Sequence, residues 1–215
     1  MILVVGPGDQ HRHPSRFPVV NTTSRSADSW TTELSPFHLG PVGLYGGRTA
    51  RIMENAWQFA KVYPDHVGAD GAPAPGYWRW AQEGWDSARP VRYPRGKGAK
   101  PAYLWWDGEK LSYLSARLRV YFPLYRDAVA KTDAFRRIRS LYEQQGEITL
   151  FDFDGYEHES AGMNLAEVML NPNRPMGHAF VLKAMLIYGP DVSPDDVIAA
   201  PSPIGLRRTQ KRLFC

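Results

Sequence analysis

Cysteine is nearly missing from this chain; the single one is Cys215, the last residue. A lone cysteine excludes an intrachain disulfide and a cysteine-built metal site. Its place at the very end excludes a prenylation box, which needs cysteine fourth from the end. Long apolar runs are missing too: none approaches the ~20 residues needed to cross a bilayer. The opening run, MILVV, is short and has no basic lead, so it does not read as a signal peptide. These absences predict a soluble, cytoplasmic protein without a membrane partner. Internal repeats and low-complexity tracts are absent as well, which argues against solenoids and disordered arrays.

What is present suits a folded domain. The chain has 215 residues, and 13% of them are aromatic. A domain of this size buries roughly 70% of its unfolded surface. Eighteen prolines and nineteen glycines imply many loops between short elements. The net charge of +4 is compatible with a phosphate-bearing ligand but names no partner by itself. The expected organisation is one α+β, helix-rich domain with a small sheet over residues 1–200, followed by a basic tail over 201–215.

The pattern along the chain is of short elements. MILVV and FPVVN read as strands, the second running into the polar turn NTTSRS. A helix is expected from about Arg51 to Tyr63, ended by Pro64, and an aromatic one over YWRWAQEGW. Apolar residues at three- and four-residue spacing predict helices over Glu109–Tyr125, broken near Phe122 by Pro123, and over Asp127–Gln145. ITLFDF reads as a strand entering an acidic turn, NLAEVML as a short helix, and MGHAFVLKAMLIYG as a buried helix or strand, helical at its start.

The helix near residue 55 raises the functional question. In MENAWQFAK, the polar residues Glu54, Gln58 and Lys61 fall within about 60° of one another at 100° per residue. One reading is an ordinary solvated stripe. The other is the wall of a pocket, with Glu54 as a catalytic carboxylate and Lys61 on a phosphate or hydroxyl. Elsewhere, NTTSRS surrounds Arg25 with small hydroxyls, so Asn21, Ser24 and Arg25 suit a phosphate or ribose contact as well as a capped turn. RYPRGKGAK offers Arg92, Arg95, Lys97 and Lys100 without phosphate-loop spacing; it reads as a phosphate or nucleic-acid contact or as a solvated loop. DFDG carries Asp152 and Asp154 but lacks the residues of a phosphatase nucleophile loop or a calcium loop. His11 and His13 have no third ligand in sight, His178 reads as a core histidine, and the tryptophans read as core, with Trp57 among those able to stack on a base.

The order Leu34, Ser35, Phe37, Pro41, Gly46, Glu54, Gln58 and Lys61 resembles the opening of the NADAR superfamily, N-glycosidases acting on ribosylated bases, riboflavin-pathway intermediates and ADP-ribose adducts among them. That family opens with a Leu-Ser-Asn-Phe-like loop, a short strand ending in glycine, and a helix bearing Glu, then Gln, then Lys. The second half agrees more loosely. The family's Asp followed by Trp-Gly is missing, with Asp152 or Asp154 nearest to its place, and Trp106 and Asp107 stand near its Trp-Asp-Arg helix start.

The resemblance implies an N-glycosidase-like hydrolase cleaving the base–ribose bond of a ribosylated or ADP-ribosylated nucleobase, with no cofactor and no metal. Its partner would be a phosphorylated ribosyl small molecule or ADP-ribosylated nucleic acid. Glu54 would act on the sugar with Asp154 as second carboxylate and Lys61 assisting. Asn21, Ser24, Arg25, Gln58, Trp57, Arg92, Lys97, Lys100 and Asp152 would hold substrate. The competing expectation is a binding protein that keeps the pocket without the catalysis.

Overall fold

The computed structural model describes residues 1–9 and 17–200. His11, His13 and the basic tail with Cys215 lie outside the described residues. Three small sheets share one apolar core with the helices, an α+β arrangement. In the first sheet, β1 (Ile2–Val5) and β2 (Val19–Asn21) flank β8 (Ile148–Phe151), and both pair with it in parallel. All four residues of β8 are buried. A strand covered on both faces carries a continuous apolar run instead of an alternating one.

The second sheet is the hairpin of β3 (Val42–Gly43) and β4 (Thr49–Ala50). Helix α1 (Met53–Phe59) follows, then β5 (Lys61–Val62), which pairs antiparallel with β6 (Tyr103–Trp106). β6 turns back into β7 (Glu109–Leu111) through Asp107 and Gly108, both at positive φ. Asp-Gly is the pair that such a tight turn favours.

The helix expected to run to Tyr63 is therefore shorter. The Trp105 amide donates to the Ala60 carbonyl at 2.9 Å and Lys61 pairs with Leu104, so sheet pairing takes over the backbone beyond Ala60. Glu109–Leu111, expected in a helix, is strand for the same reason.

Pro123 does not break its helix. α3 (Tyr113–Ala116) runs through a π-helical turn, Arg117–Tyr121, into α4 (Phe122–Val129). The wider turn, with the Phe122 amide bonded to the Arg117 carbonyl, accommodates a residue that has no amide hydrogen to give. The second expected helix starts later than Asp127. The chain bends at Lys131, and α5 (Asp133–Gln145) begins under a Thr132 cap that accepts the Phe135 amide at 3.0 Å. α6 (Leu165–Leu170), α7 (His178–Tyr188) and α8 (Pro194–Ala199) follow. α7 is helical throughout and eight of its residues are buried.

α1 is held against α2 (Pro75–Asp86) through Gly84. A β-carbon there would come within 2.1 Å of the Phe59 ring, which itself leans on Trp80 at a 4.7 Å centroid distance. The close approach exists because residue 84 has no side chain. Gly84→Ala is expected to cost about 1–3 kcal/mol by overpacking, read as a lower denaturant midpoint at unchanged slope; an unaltered midpoint would contradict this packing.

Candidate functional site

Helix α1 has no solvated face: all seven residues are buried, and Glu54 is only 5% exposed. The polar stripe is a hydrogen-bonded chain. Gln58 Nε2 donates to Glu54 Oε1 at 2.8 Å, and Lys61 Nζ donates to Gln58 Oε1 at 2.6 Å. Lys61 reaches back from β5, its ammonium 5.3 Å over the Trp57 ring. Glu54 Oε2 has no protein partner among the described residues. It is the oxygen left for a ligand.

This chain of groups forms one wall of a cavity of about 670 Å³, a volume in the range of small-molecule sites. The opposite walls come from the carboxyl ends of two parallel strands. β2 leads into Thr23, Ser24 and Arg25; β8 leads into Asp152, Phe153 and Asp154. Arg92 and Tyr93 close one side, and Pro175 to His178 another.

Electrostatics inside the cavity follow from burial. Glu54 is pushed up to about 7, chiefly by loss of water, against the pull of Gln58, Lys61 and Arg92. Burial likewise lowers Lys61 to about 8, with Glu54 opposing. Near neutral pH the carboxyl therefore populates both protonation states, the condition for a group that must take up a proton and give it back. A fraction of Lys61 is then a free amine, able to act as a nucleophile or base. Asp154 is also raised by burial, with Arg92 lowering it; Arg92 Nη2 donates to Asp154 Oδ2 at 2.8 Å.

Asp152 has a different assignment. Its Oδ2 stands 3.2 Å from His178 Nδ1 and accepts the Ala179 amide at 3.2 Å. Its Oδ1 faces the Asp154 amide at 3.4 Å. His178 Nε2 donates to the Thr22 carbonyl at 2.8 Å, since a carbonyl can only accept. Gly177 makes this possible: a β-carbon there would meet Asp152 Oδ2 at 2.1 Å. Asp152 thus anchors the first turn of α7 to β8, and His178 is the satisfied core histidine that its sequence setting suggests.

The structure brings Glu54, Trp57, Gln58, Lys61, Ser24, Arg25, Arg92, Asp152 and Asp154 to one cavity. It does not bring Asn21, Lys97 or Lys100 there. Asn21 Oδ1 instead accepts the Thr23 amide at 3.0 Å and its hydroxyl at 2.8 Å, holding the turn that presents Arg25. Lys97 is exposed, and Lys100 lines a separate shallow groove with Tyr63 and Arg95. The loop changes direction at Gly96 and Gly98, both at positive φ, so Arg92 and the lysines part company.

Some lining residues gave no signal in the sequence. Tyr121 and Arg117 sit on the π turn, and a helical periodicity gives no cue to that turn's altered phase. Arg117 is buried and donates to four carbonyls, those of Val168, Met169, Asn171 and Arg174, at 2.7 to 3.3 Å. It fixes the end of α6 and the loop that becomes the Pro175–Gly177 wall. Among the described residues no cluster of His, Cys, Asp and Glu could hold a metal ion, and no helix is long and apolar enough to cross a membrane.

No family model, curated protein or solved structure matches the chain.

A carboxyl that binds its proton more tightly folded than unfolded makes stability fall as pH climbs between the two values. For Glu54 that window runs from 4.5 to about 7. Glu54→Gln removes the effect, so the variant is expected to gain on the order of 2–3 kcal/mol relative to wild type between the bottom and the top of the window. Chemical denaturation of both proteins across that range measures it, and a constant difference would contradict the assignment. Lys61 acts with the opposite sign and at higher pH, where its lowered value makes stability rise between about 8 and 10.5.

Proposed function

We propose that this chain is an N-glycosidase-like hydrolase of the NADAR kind, cleaving the base–ribose bond of a ribosylated or ADP-ribosylated nucleobase or nucleotide. The observation that carries the reading is Glu54: a buried carboxyl raised to about 7, on the wall of a cavity whose other walls carry the guanidinium groups of Arg25 and Arg92. Substrates of this class are intracellular, so the reading places the protein in the cytoplasm.

The chemistry suits these groups. Departure of the base leaves an oxocarbenium-like sugar, and a carboxylate beside it stabilises that charge and takes a proton from the attacking water. Glu54 presents its free Oε2 for that task while Gln58 holds Oε1 in place. Lys61 polarises the Gln58 carbonyl and stands close enough to reach a sugar hydroxyl. Arg25, with Ser24 beside it, and Arg92 meet phosphate oxygens, where guanidinium geometry is favourable. Trp57 offers an aromatic face for the base, and Phe153, already under Arg25 at 5.5 Å, offers a second.

A second reading is a nucleotide- or nucleic-acid-binding protein with the same cavity and no turnover. It is favoured by one feature: Asp154 is paired with Arg92 and Asp152 with His178 and α7, leaving one carboxylate instead of two. The readings separate on Glu54→Gln. Base release from purine ribonucleotides and ADP-ribosylated nucleosides, followed by chromatography, is expected to fall by about 100-fold or more, while binding of ADP-ribose by calorimetry stays within a few-fold. If wild type releases base from none of these substrates yet binds them, the binding protein is the correct reading.

A further inference from the structure

Breaking a base–ribose bond calls for help at both ends, a carboxylate at the sugar and a donor at the departing base. Glu54 serves the first end. Asp152 is held by the α7 amide, and Asp154, although its Oδ1 carries no bond among the described residues, is ion-paired through Oδ2 with Arg92, whose charge opposes the protonation a donor needs. Tyr121 remains. Its side chain lines the cavity and is 9% exposed, and its hydroxyl makes no hydrogen bond among the described residues. The neighbouring Tyr125 differs, since its hydroxyl donates to the Leu34 carbonyl at 2.6 Å. A phenol buried without a partner but open to a cavity is a donor kept for a ligand.

The ring is held from two sides. Tyr125 stacks on it with planes 11° apart at 6.4 Å, and Trp57 meets it edge-on at 5.2 Å. The π turn that carries it is clamped by Arg117 through its four carbonyls, and single π turns inside helices often mark functional positions. Trp57, the aromatic face assigned to the base, is thus in direct contact with the ring bearing the free hydroxyl.

We propose that the Tyr121 hydroxyl donates a hydrogen bond to the departing base, an inference that rests on the glycosidase reading above. In that step the C–N bond breaks and its electron pair goes to the base nitrogen. The oxygen of water bonds to the anomeric carbon. The proton of that water passes to Glu54 and from there to the base. Tyr121 keeps its own proton. Burial, reinforced by the negative charges of Glu54 and Asp152, pushes its hydroxyl well above the usual tyrosine value, so it stays a neutral donor at every pH where Glu54 cycles.

The test is a leaving-group comparison on the full chain. Wild type and Tyr121→Phe are assayed on a purine ribonucleotide and an ADP-ribosylated nucleoside, whose bases leave poorly, and on p-nitrophenyl ribosyl phosphate, whose phenolate leaves unaided. The variant is expected to lose about 100-fold in kcat on the substrates with poor leaving groups and less than about 10-fold on the activated one, with KM nearly unchanged. Equal losses on both kinds of substrate, or no loss, overturn the proposal while leaving the glycosidase reading in place. A wild type inactive on all three overturns both. Tyr125→Phe, which removes a structural hydroxyl, serves as the control: it is expected to lower the melting temperature without any dependence on the leaving group, and a leaving-group dependence there would also count against Tyr121.

Discussion

The cavity depends on one buried side chain, the Asp152 carboxylate, which accepts the Ala179 amide in the first turn of α7 and stands 3.2 Å from the His178 ring. Asp152 belongs to the end of β8, and His178 opens α7. The other ring nitrogen reaches the Thr22 carbonyl at the end of β2. Two parallel strands and the helix covering them are thereby tied at one point. One side of the cavity hangs from that knot: Arg25 just beyond β2, Phe153 and Asp154 just past Asp152, and the Met176–Gly177 wall before the helix. Ligands commonly meet parallel sheets at the carboxyl ends of their strands because the loops there converge. Here the convergence is enforced by a side chain, and Gly177 is the residue that leaves room for it.

Against that rigid wall stands a softer electrostatic one. A buried carboxyl and a buried amine, separated by one amide, would each prefer to lose their charge, and each prefers the other to keep it. Burial sets the outcome, with Glu54 near 7 and Lys61 near 8. Such a pair responds to whatever enters the cavity. An anionic phosphate at Arg25 or Arg92 favours protonated Glu54 and charged Lys61. A developing sugar cation beside Oε2 favours the carboxylate. On the proposed reaction, the ground state and the transition state therefore pull the proton in opposite directions, and the interaction with Oε2 strengthens as the bond breaks, which is the kind of binding that raises kcat.

How much of this could be read from the residues depended on whether local pattern or distant pairing decided each case. The strand character of ITLF and the helix around Glu54 followed from local sequence, as did the acidic turn after β8. The meaning of the Glu54–Gln58–Lys61 stripe did not. Periodicity places three polar residues on one face but is silent on whether water or another segment lies opposite, and here the whole of α1 is covered. Lys61 is on that face although it has left the helix, because β6 captures its backbone while the side chain still reaches Gln58. Asn21 and Asp152 have suitable chemistry and lie at or next to the cavity, yet their oxygens are engaged by Thr23 and by α7, engagements that only tertiary structure reveals. Lys97 and Lys100 share a loop with Arg92, but glycine turns send them elsewhere. Tyr121 escaped because its exposure to the cavity arises from a π turn, and that turn is tied to a proline that local rules read as a break.

The arrangement of carboxylates limits the chemistry available. A paired-carboxylate glycosidase keeps one acid protonated and one ionised by giving them unlike surroundings. In this cavity Asp154 is bound to Arg92 and Asp152 to the knot beneath α7, so freeing either would cost an ion pair or the anchor of the wall itself. A phosphate arriving at Arg92 could compete for its guanidinium, but the Asp154 carboxylate released would then sit beside that phosphate and be pushed towards protonation, a poor state for activating water. Glu54 is left as the carboxylate that has no arginine or histidine ion pair, keeps Oε2 open and has a proton affinity suited to neutral pH. If the site hydrolyses anything, it does so with a single proton-transferring carboxylate, and the remaining stabilisation has to come from fixed dipoles, cations and the hydroxyl groups that already line the walls.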